Sequence, residues 1–166
     1  MDPFKQSMAP VGALRPLLLV LGSLPGEASL KAQRYYAHPQ NQFWRLIGSA
    51  LGEPIDGLAY DDRLAVLAIR QVGLWDVVGE ARRSGSLDSA LREVSANPLA
   101  SFVSCQPQLR AIAFNGQTAA KLGRRALGAS MVKLIDLPSS SPAFTLALAE
   151  KASRWSVLAN FAATAT

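Results

Sequence analysis

Four short apolar runs constrain this chain most. Each is cut off by glycine, proline or asparagine, and stretches of helical spacing lie between them. The first, Leu17 to Leu21, is five consecutive apolar residues stopped by Gly-Ser-Leu-Pro-Gly. A run apolar on both faces and bounded by such breakers suits a strand buried in a parallel sheet. Val72–Val78, Leu109–Phe114 and Val132–Leu137 have the same character, the last two ending at Asn115-Gly116 and Pro-Ser-Ser-Ser-Pro. Phe43, Ile47 and Ala50 or Leu51 fall at helical spacing behind Pro39 and Asn41, which are placed as a helix start. Residues 61–69 put Leu64, Leu67 and Ala68 on one side, helix signals recur around Asp88 to Val94, and Asn97-Pro98 restarts a helical turn. Thr118–Leu127 reads as a helix with Lys121, Arg124 and Arg125 outward, and a last helix buries Leu148, Ala152, Trp155 and Ala159. Strands alternating with helices predict an α/β fold, a three-layer α/β/α sandwich around a four-stranded, mainly parallel sheet.

The chain has 166 residues, 49% hydrophobic and 17% charged, which predicts one domain with a core that needs no staples. Residues 1–15 are aperiodic, with two prolines, and read as a loose lead-in to a single domain over 16–166. A single cysteine, Cys105, and a single histidine, His38, leave no Cys- or His-rich metal site. Five apolar residues are too few for a membrane span or a signal-peptide core, so the expectation is a soluble, cytoplasmic protein, nucleoid-associated in a bacterium. The chain lacks G-x-x-x-x-G-K-[ST], G-x-G-x-x-G and G-x-S-x-G, so NTPase, dinucleotide and serine-triad chemistry find no support.

The formal charge is +5, and it is unevenly spread. Residues 1–100 carry ten Lys/Arg against ten Asp/Glu; residues 101–166 carry seven basic residues (Arg110, Lys121, Arg124, Arg125, Lys133, Lys151, Arg154) against Asp136 and Glu150. A basic half suits a polyanion such as nucleic acid, and equally suits a merely solvated surface.

In open α/β sheets the ligand lies beyond the carboxyl ends of the strands. The segments following the four runs are Gly-Ser-Leu-Pro-Gly-Glu-Ala-Ser, Asp76 and its neighbours, Asn115-Gly116 and Pro-Ser-Ser-Ser-Pro. Turns and helix starts of this composition can cradle phosphates. Tyr35, Tyr36, His38, Asn41, Phe43 and Trp44 crowd together just after the first loop. Flat rings beside an amide are what an extruded base needs: faces to stack on and a group to read its edge. Cleaving an N-glycosidic bond passes through a cationic sugar and needs an oriented water, which an Asn oxygen can hold by placement.

The stretches GSLPGEASLKAQRYYAHPQNQFWRLI, FNGQTA and LPSSSPA, in this order at strand ends, resemble the uracil-DNA glycosylase superfamily, nearest its hypoxanthine (deoxyinosine) branch and next the mismatch-specific uracil/thymine enzymes. The resemblance runs from about Leu17 to the end. It implies a monofunctional DNA glycosylase of base excision repair acting as a monomer on double-stranded DNA. Such an enzyme flips out a deaminated base, hypoxanthine first and uracil second, with no cofactor and no metal. Asn41, in His-Pro-x-Asn, becomes the expected catalytic residue; without the resemblance it reads as a helix N-cap. Leu24 stands where other branches carry Asp or Asn. Tyr36 is expected to stack on the base and Asn115 to read its edge, with Gly22 and Ser23 against it. Core packing and turn roles are the alternatives for Tyr36 and Asn115. Ser139, Ser140, Ser141 and Pro142 are expected at the phosphates, with Phe144, where the family commonly has Asn, as an apolar wedge or as core. His38 braces its loop and Asp76 ends its strand near the site. Lys31, the one lysine near the first motif, is a solvated or phosphate-facing charge. A mismatch-specific uracil glycosylase and a non-catalytic DNA-binding protein of the same fold are the alternatives.

Overall fold

The computed structural model describes residues 1–165. Its strands are β1 (Phe4–Gln6), β2 (Val11–Gly12), β3 (Leu18–Gly22), β4 (Val72–Asp76), β5 (Val78–Arg82), β6 (Arg92–Ala96), β7 (Ala111–Asn115) and β8 (Lys133–Leu137). Its α-helices are α1 (Glu27–Ala32), α2 (Phe43–Leu51), α3 (Tyr60–Ile69), α4 (Leu99–Ser104), α5 (Gln117–Leu127) and α6 (Leu148–Trp155).

The main sheet has the order β2-β4-β3-β7-β8, with the four expected strands parallel and two-residue β2 antiparallel on β4. All five residues of β3 are buried, as its unbroken apolar run requires of a strand covered on both faces. Alternation then divides the core. Leu18 and Val20 meet α2, α3 and α6 through Phe43, Ile47, Leu67 and Trp155; Leu19 and Leu21 meet the α4–α5 side through Leu99, Ala119 and Phe114. Helix α5 lies close on the sheet because Gly123 has no side chain: a Cβ there would come within 2.3 Å of the Phe114 ring.

The second, antiparallel sheet, β1-β5-β6, lies outside what the sequence pattern predicts. The run read as one strand, Val72–Val78, is two: β4 stops at Asp76 and the chain re-enters at Val78 as β5. Residues 88–94 do not form a helix. A single 3-10 turn, Asp88–Ala90, leads into β6, which is exposed throughout and held by pairing with β5, so tertiary pairing overrides a local helical spacing. The lead-in at residues 1–15 contains β1 and β2, one on each sheet. Helix α6 also ends sooner than its periodicity suggests. Its continuation, Ser156–Asn160, tightens to a 3-10 helix, which brings Leu158 under Trp155 and leaves Ala159 exposed. On α3, Leu67 is buried while Ala68 faces out.

From β3 the chain adds β4 on one side and later β7 on the other. The strand order therefore reverses between β3 and β7, where ligands of open α/β sheets bind. No helix among the described residues is long and apolar enough to cross a membrane.

Candidate active site

A cavity of about 520 Å³ opens at the carboxyl ends of the parallel strands. It is lined by every candidate residue drawn from the motifs: Gly22, Ser23, Tyr36, His38, Asn41, Asp76, Asn115, Ser139, Ser140, Ser141, Pro142 and Phe144. Lys31 is not among them, and no lysine of the described residues lines the cavity.

Asn41 sits two residues before α2. Its Oδ1 accepts the Phe43 N–H at 2.9 Å, an Asx turn that leads into α2; the N-cap itself is Gln42, so the N-cap alternative for Asn41 does not hold. The same oxygen accepts the Ser140 hydroxyl at 2.8 Å. Because a backbone N–H can only donate, these bonds fix the amide orientation and fill both acceptor positions of Oδ1. Ser140, 1% exposed, also accepts from Asn115 Nδ2 at 2.9 Å, and its backbone N–H donates to Asn115 Oδ1 at 2.9 Å. Asn115 spends its second N–H on the Tyr36 hydroxyl at 3.2 Å. One continuous chain of hydrogen bonds thus joins Tyr36, Asn115, Ser140 and Asn41, and Asn115 has no N–H left for a base. Tyr36 itself is strained into a left-handed backbone conformation at φ 53°. One ring face is taken by Phe43, stacked at 3.9 Å and 13°, which leaves the other as the face available for stacking.

His38 is exposed, and its Nδ1 accepts the Gln40 N–H at 3.1 Å, a brace within its own loop. Ser23 does not offer a free hydroxyl: it donates to Asp88 Oδ1 at 2.6 Å. Leu24 is buried with Val78 and Ala81. Beside Ser23 lies a polar floor that the sequence pattern only partly shows. Asp76, 3% exposed, has its pKa pushed up to about 7, chiefly by burial and then by the neighbouring Asp88 carboxylate, with Arg83 opposing. Burial also raises the pKa of Asp88, against the lowering effect of its Ser23 bond and of Arg83. Arg83 is fully buried, donating to the carbonyls of Leu24, Pro25 and Gly85. Asp88 escapes sequence reading because it falls in the stretch misread as helix. Among the described residues no group of three or more His, Cys, Asp or Glu is placed to hold a metal.

The Ser loop is anchored from below by Lys151, which is fully buried. Its Nζ donates to Gln42 Oε1 at 2.9 Å and to the Ser141 carbonyl at 3.2 Å, and lies 5.4 Å from the Phe144 ring centroid. Burial lowers its pKa. The signal for it is present in the sequence, since Lys151 falls on the apolar face between Leu148 and Trp155. Lys151→Met is expected to leave two carbonyl oxygens unpaired and to cost about 1–3 kcal/mol. The readout is a lower urea midpoint together with weaker duplex binding; an unchanged midpoint would remove the anchoring role.

The basic residues do not sit where their position in the sequence implies. Lys151 is internal, while Arg124 pairs with Asp136 at 2.8 Å and Arg154 with Glu150 at 3.3 Å. Arg110 and Lys133 stand at the starts of β7 and β8, and Arg125 lies in the last turn of α5, all towards the edge of the sheet away from the cavity. Apart from the buried Arg83 and Lys151, the cationic groups near the cavity are instead Arg34, Arg45, which lies 3.9 Å from Asp56, and Arg63. They line an adjoining cleft of about 600 Å³ that shares Tyr35, Tyr36, His38 and Asn41 with the cavity.

Residues 9–162 match the family described as the uracil DNA glycosylase superfamily. A protein of Methanosarcina barkeri named hypoxanthine DNA glycosylase is 35% identical over 153 residues, 91% of this chain and 95% of the relative. Another of the same name from Methanosarcina acetivorans is 38% identical over 138 residues, 83% and 87% of the two chains. The fold matches a solution NMR structure of a candidate uracil DNA glycosylase from Methanosarcina acetivorans, with TM-score 0.80 and 35% identity over 94% of this chain and 96% of that one. A strand-order reversal that carries an Asn–Ser–Asn–Tyr network, matched along nearly the whole chain, identifies the protein as a member of the uracil DNA glycosylase superfamily and a DNA glycosylase.

Proposed function

We propose that the protein releases a deaminated base from double-stranded DNA, hypoxanthine first and uracil second, by monofunctional hydrolysis of the N-glycosidic bond. The observation that carries this reading is the hydrogen-bonded chain from Tyr36 to Asn41 on one cavity wall; the names of the two Methanosarcina relatives support hypoxanthine as a base. The base, flipped from the stack, lies on the open face of Tyr36. A water inserts between the Ser140 hydroxyl and Asn41 Oδ1, accepting from the first and donating to the second, so the buried Ser140 O–H keeps an acceptor. Held there, the water attacks the anomeric carbon as the glycosidic electron pair leaves with the base, and the water's proton is lost to solvent or the departing base. The absence of a lysine among the described lining residues fits hydrolysis without a covalent amine intermediate. The Ser139–Pro142 loop and the arginines of the adjoining cleft hold the backbone. The protein acts as a monomer in this reading.

The test is release of base from duplexes carrying deoxyinosine or deoxyuridine, followed by alkaline cleavage of abasic sites. Faster cleavage at deoxyinosine is the expected result. Faster cleavage at deoxyuridine would move the chain towards mismatch-uracil activity. No cleavage of either, with tight salt-sensitive binding, would leave a non-catalytic binder.

Phe144 is 42% exposed at the cavity rim, which suits a wedge better than a core residue. Phe144→Ala is expected to slow excision from stable pairs several-fold more than from mismatches, because only stable pairs need prising apart. Equal losses on both would return Phe144 to a packing role.

A further inference from the structure

The cavity holds one group that neither the hydrogen-bonded chain nor the helix caps employ. Asp76 ends β4 directly beside Gly22, its register partner at the end of β3, and Asn115 ends β7 on the other side of β3. Glycine keeps the space between these two polar groups open. A Cβ on Gly22 would lie 2.7 Å from Asp76 Oδ1 and 3.0 Å from the Tyr36 hydroxyl. Asp76 is 3% exposed and lines the cavity; Oδ1 is the oxygen beside the Gly22 gap, and Oδ2, more deeply buried, has no hydrogen-bond partner among the described residues. A buried carboxyl with an unpaired oxygen is costly, and in a cavity wall it marks a group kept for a donor from outside.

Deamination creates such a donor. Adenine and cytosine present a bare ring nitrogen with a lone pair between their exocyclic group and the next ring atom. Hypoxanthine and uracil carry a hydrogen on that same nitrogen. The ionised carboxylate, the form Asp76 takes above about pH 7, accepts from the N–H and repels the lone pair, so above that pH one oxygen can separate the deaminated base from its parent. Asn115 cannot take over a donor's share of reading, because both its N–H groups are spent on Ser140 and Tyr36. We propose that Asp76 reads the ring N–H of the flipped base, across the gap that Gly22 leaves open. This rests on the reading of the protein as a glycosylase for deaminated bases, and it names the group that sets that class.

Asp76→Asn preserves the shape and removes the charged acceptor. The experiment measures, at pH 8 where the carboxylate predominates, binding of wild type and variant to two duplexes. One carries 2′-deoxy-2′-fluoroarabino-inosine, which resists hydrolysis; the other carries a tetrahydrofuran abasic analogue, which has no base. The variant is expected to lose at least about tenfold in affinity for the inosine duplex, with tetrahydrofuran binding within about twofold of wild type. Equal losses on both duplexes, or no loss on either, would overturn the assignment. The wild-type chain supplies a second measurement that needs no substitution. Methylating N1 of the bound hypoxanthine should weaken binding by at least about tenfold, and equal affinity would overturn the proposal. Neither measurement requires cleavage. A chain that bound selectively but released no base would sink the excision reading and leave Asp76 standing.

Discussion

Asn41→Ala is expected to lower the rate of base release by about 10²–10³-fold while duplex affinity stays within a few-fold of wild type. The asymmetry follows from where Asn41 acts: its side chain bonds Phe43 and Ser140, and among the described residues it does not bond Ser139 or Ser141, the loop residues proposed to meet the phosphates. The alanine variant also loses the turn bond to the first N–H of α2, which costs about 1 kcal/mol of stability and lowers the unfolding midpoint by a few degrees. Asn41→Asp separates the two roles. Aspartate makes the same Asx turn as asparagine, so the variant should recover the midpoint. Its orientation is no longer fixed by an amide, and a carboxylate in place of Nδ2 cannot donate. Single-turnover rates on deoxyinosine duplexes alongside thermal melts would check both. An alanine variant that excises at the wild-type rate would reduce Asn41 to its turn role.

Asp76→Asn should make the protein more stable at neutral pH and no more stable in acid. The Asp76 carboxyl titrates near 7 when folded, against a usual value of 3.8, because burial and Asp88 disfavour its charge. Below the unfolded value both states carry a neutral acid, and the folded state has no penalty. As the pH rises from about 4 to about 7 the unfolded chain ionises while the folded one resists, so stability falls through that window. The full shift corresponds to roughly 4 kcal/mol. Part of the gain on substitution is returned because the new amide has no partner either, which leaves a net of about 2 kcal/mol. That is roughly 4–8 °C in midpoint at pH 8 for a chain of this size, shrinking towards zero at pH 4. Melting curves of the two proteins that run parallel from pH 4 to 8 would contradict it. A carboxyl that weakens the fold and lines the cavity is what a functional group, retained against stability, looks like.

Most of the parallel sheet is legible in the sequence because β3, β4 and β7 are buried on both faces, and such strands appear as mostly apolar runs whatever surrounds them; β8, the edge strand, keeps only Leu137 buried and is legible from the Pro-Ser-Ser-Ser-Pro that stops it. The cavity residues are legible for a related reason: they follow those runs directly, and topology carries every strand end to one edge. The second sheet is hidden because β6 is exposed at all five positions, so no burial pattern marks it, and β1 and β2 are too short to show alternation. What the residues bond to is hidden as well. Nothing in LPSSSPA distinguishes the buried Ser140, which joins Asn115 to Asn41, from its half-exposed neighbours Ser139 and Ser141. Charge counting misleads most, because Lys151 turns inward and Arg124 and Arg154 find acidic partners.

That placement of charge gives the molecule a direction. Arg110, Arg125 and Lys133 lie towards the starting edge of the sheet, while Asp76 and Asp88 lie in the cavity at the other. Arg34, Arg45 and Arg63 line the cleft beside that cavity, so positive charge marks two faces of the molecule. The far face holds cations that a count over residues 101–166 finds, and the near face holds cations that the same count misses; only the near one adjoins the cavity.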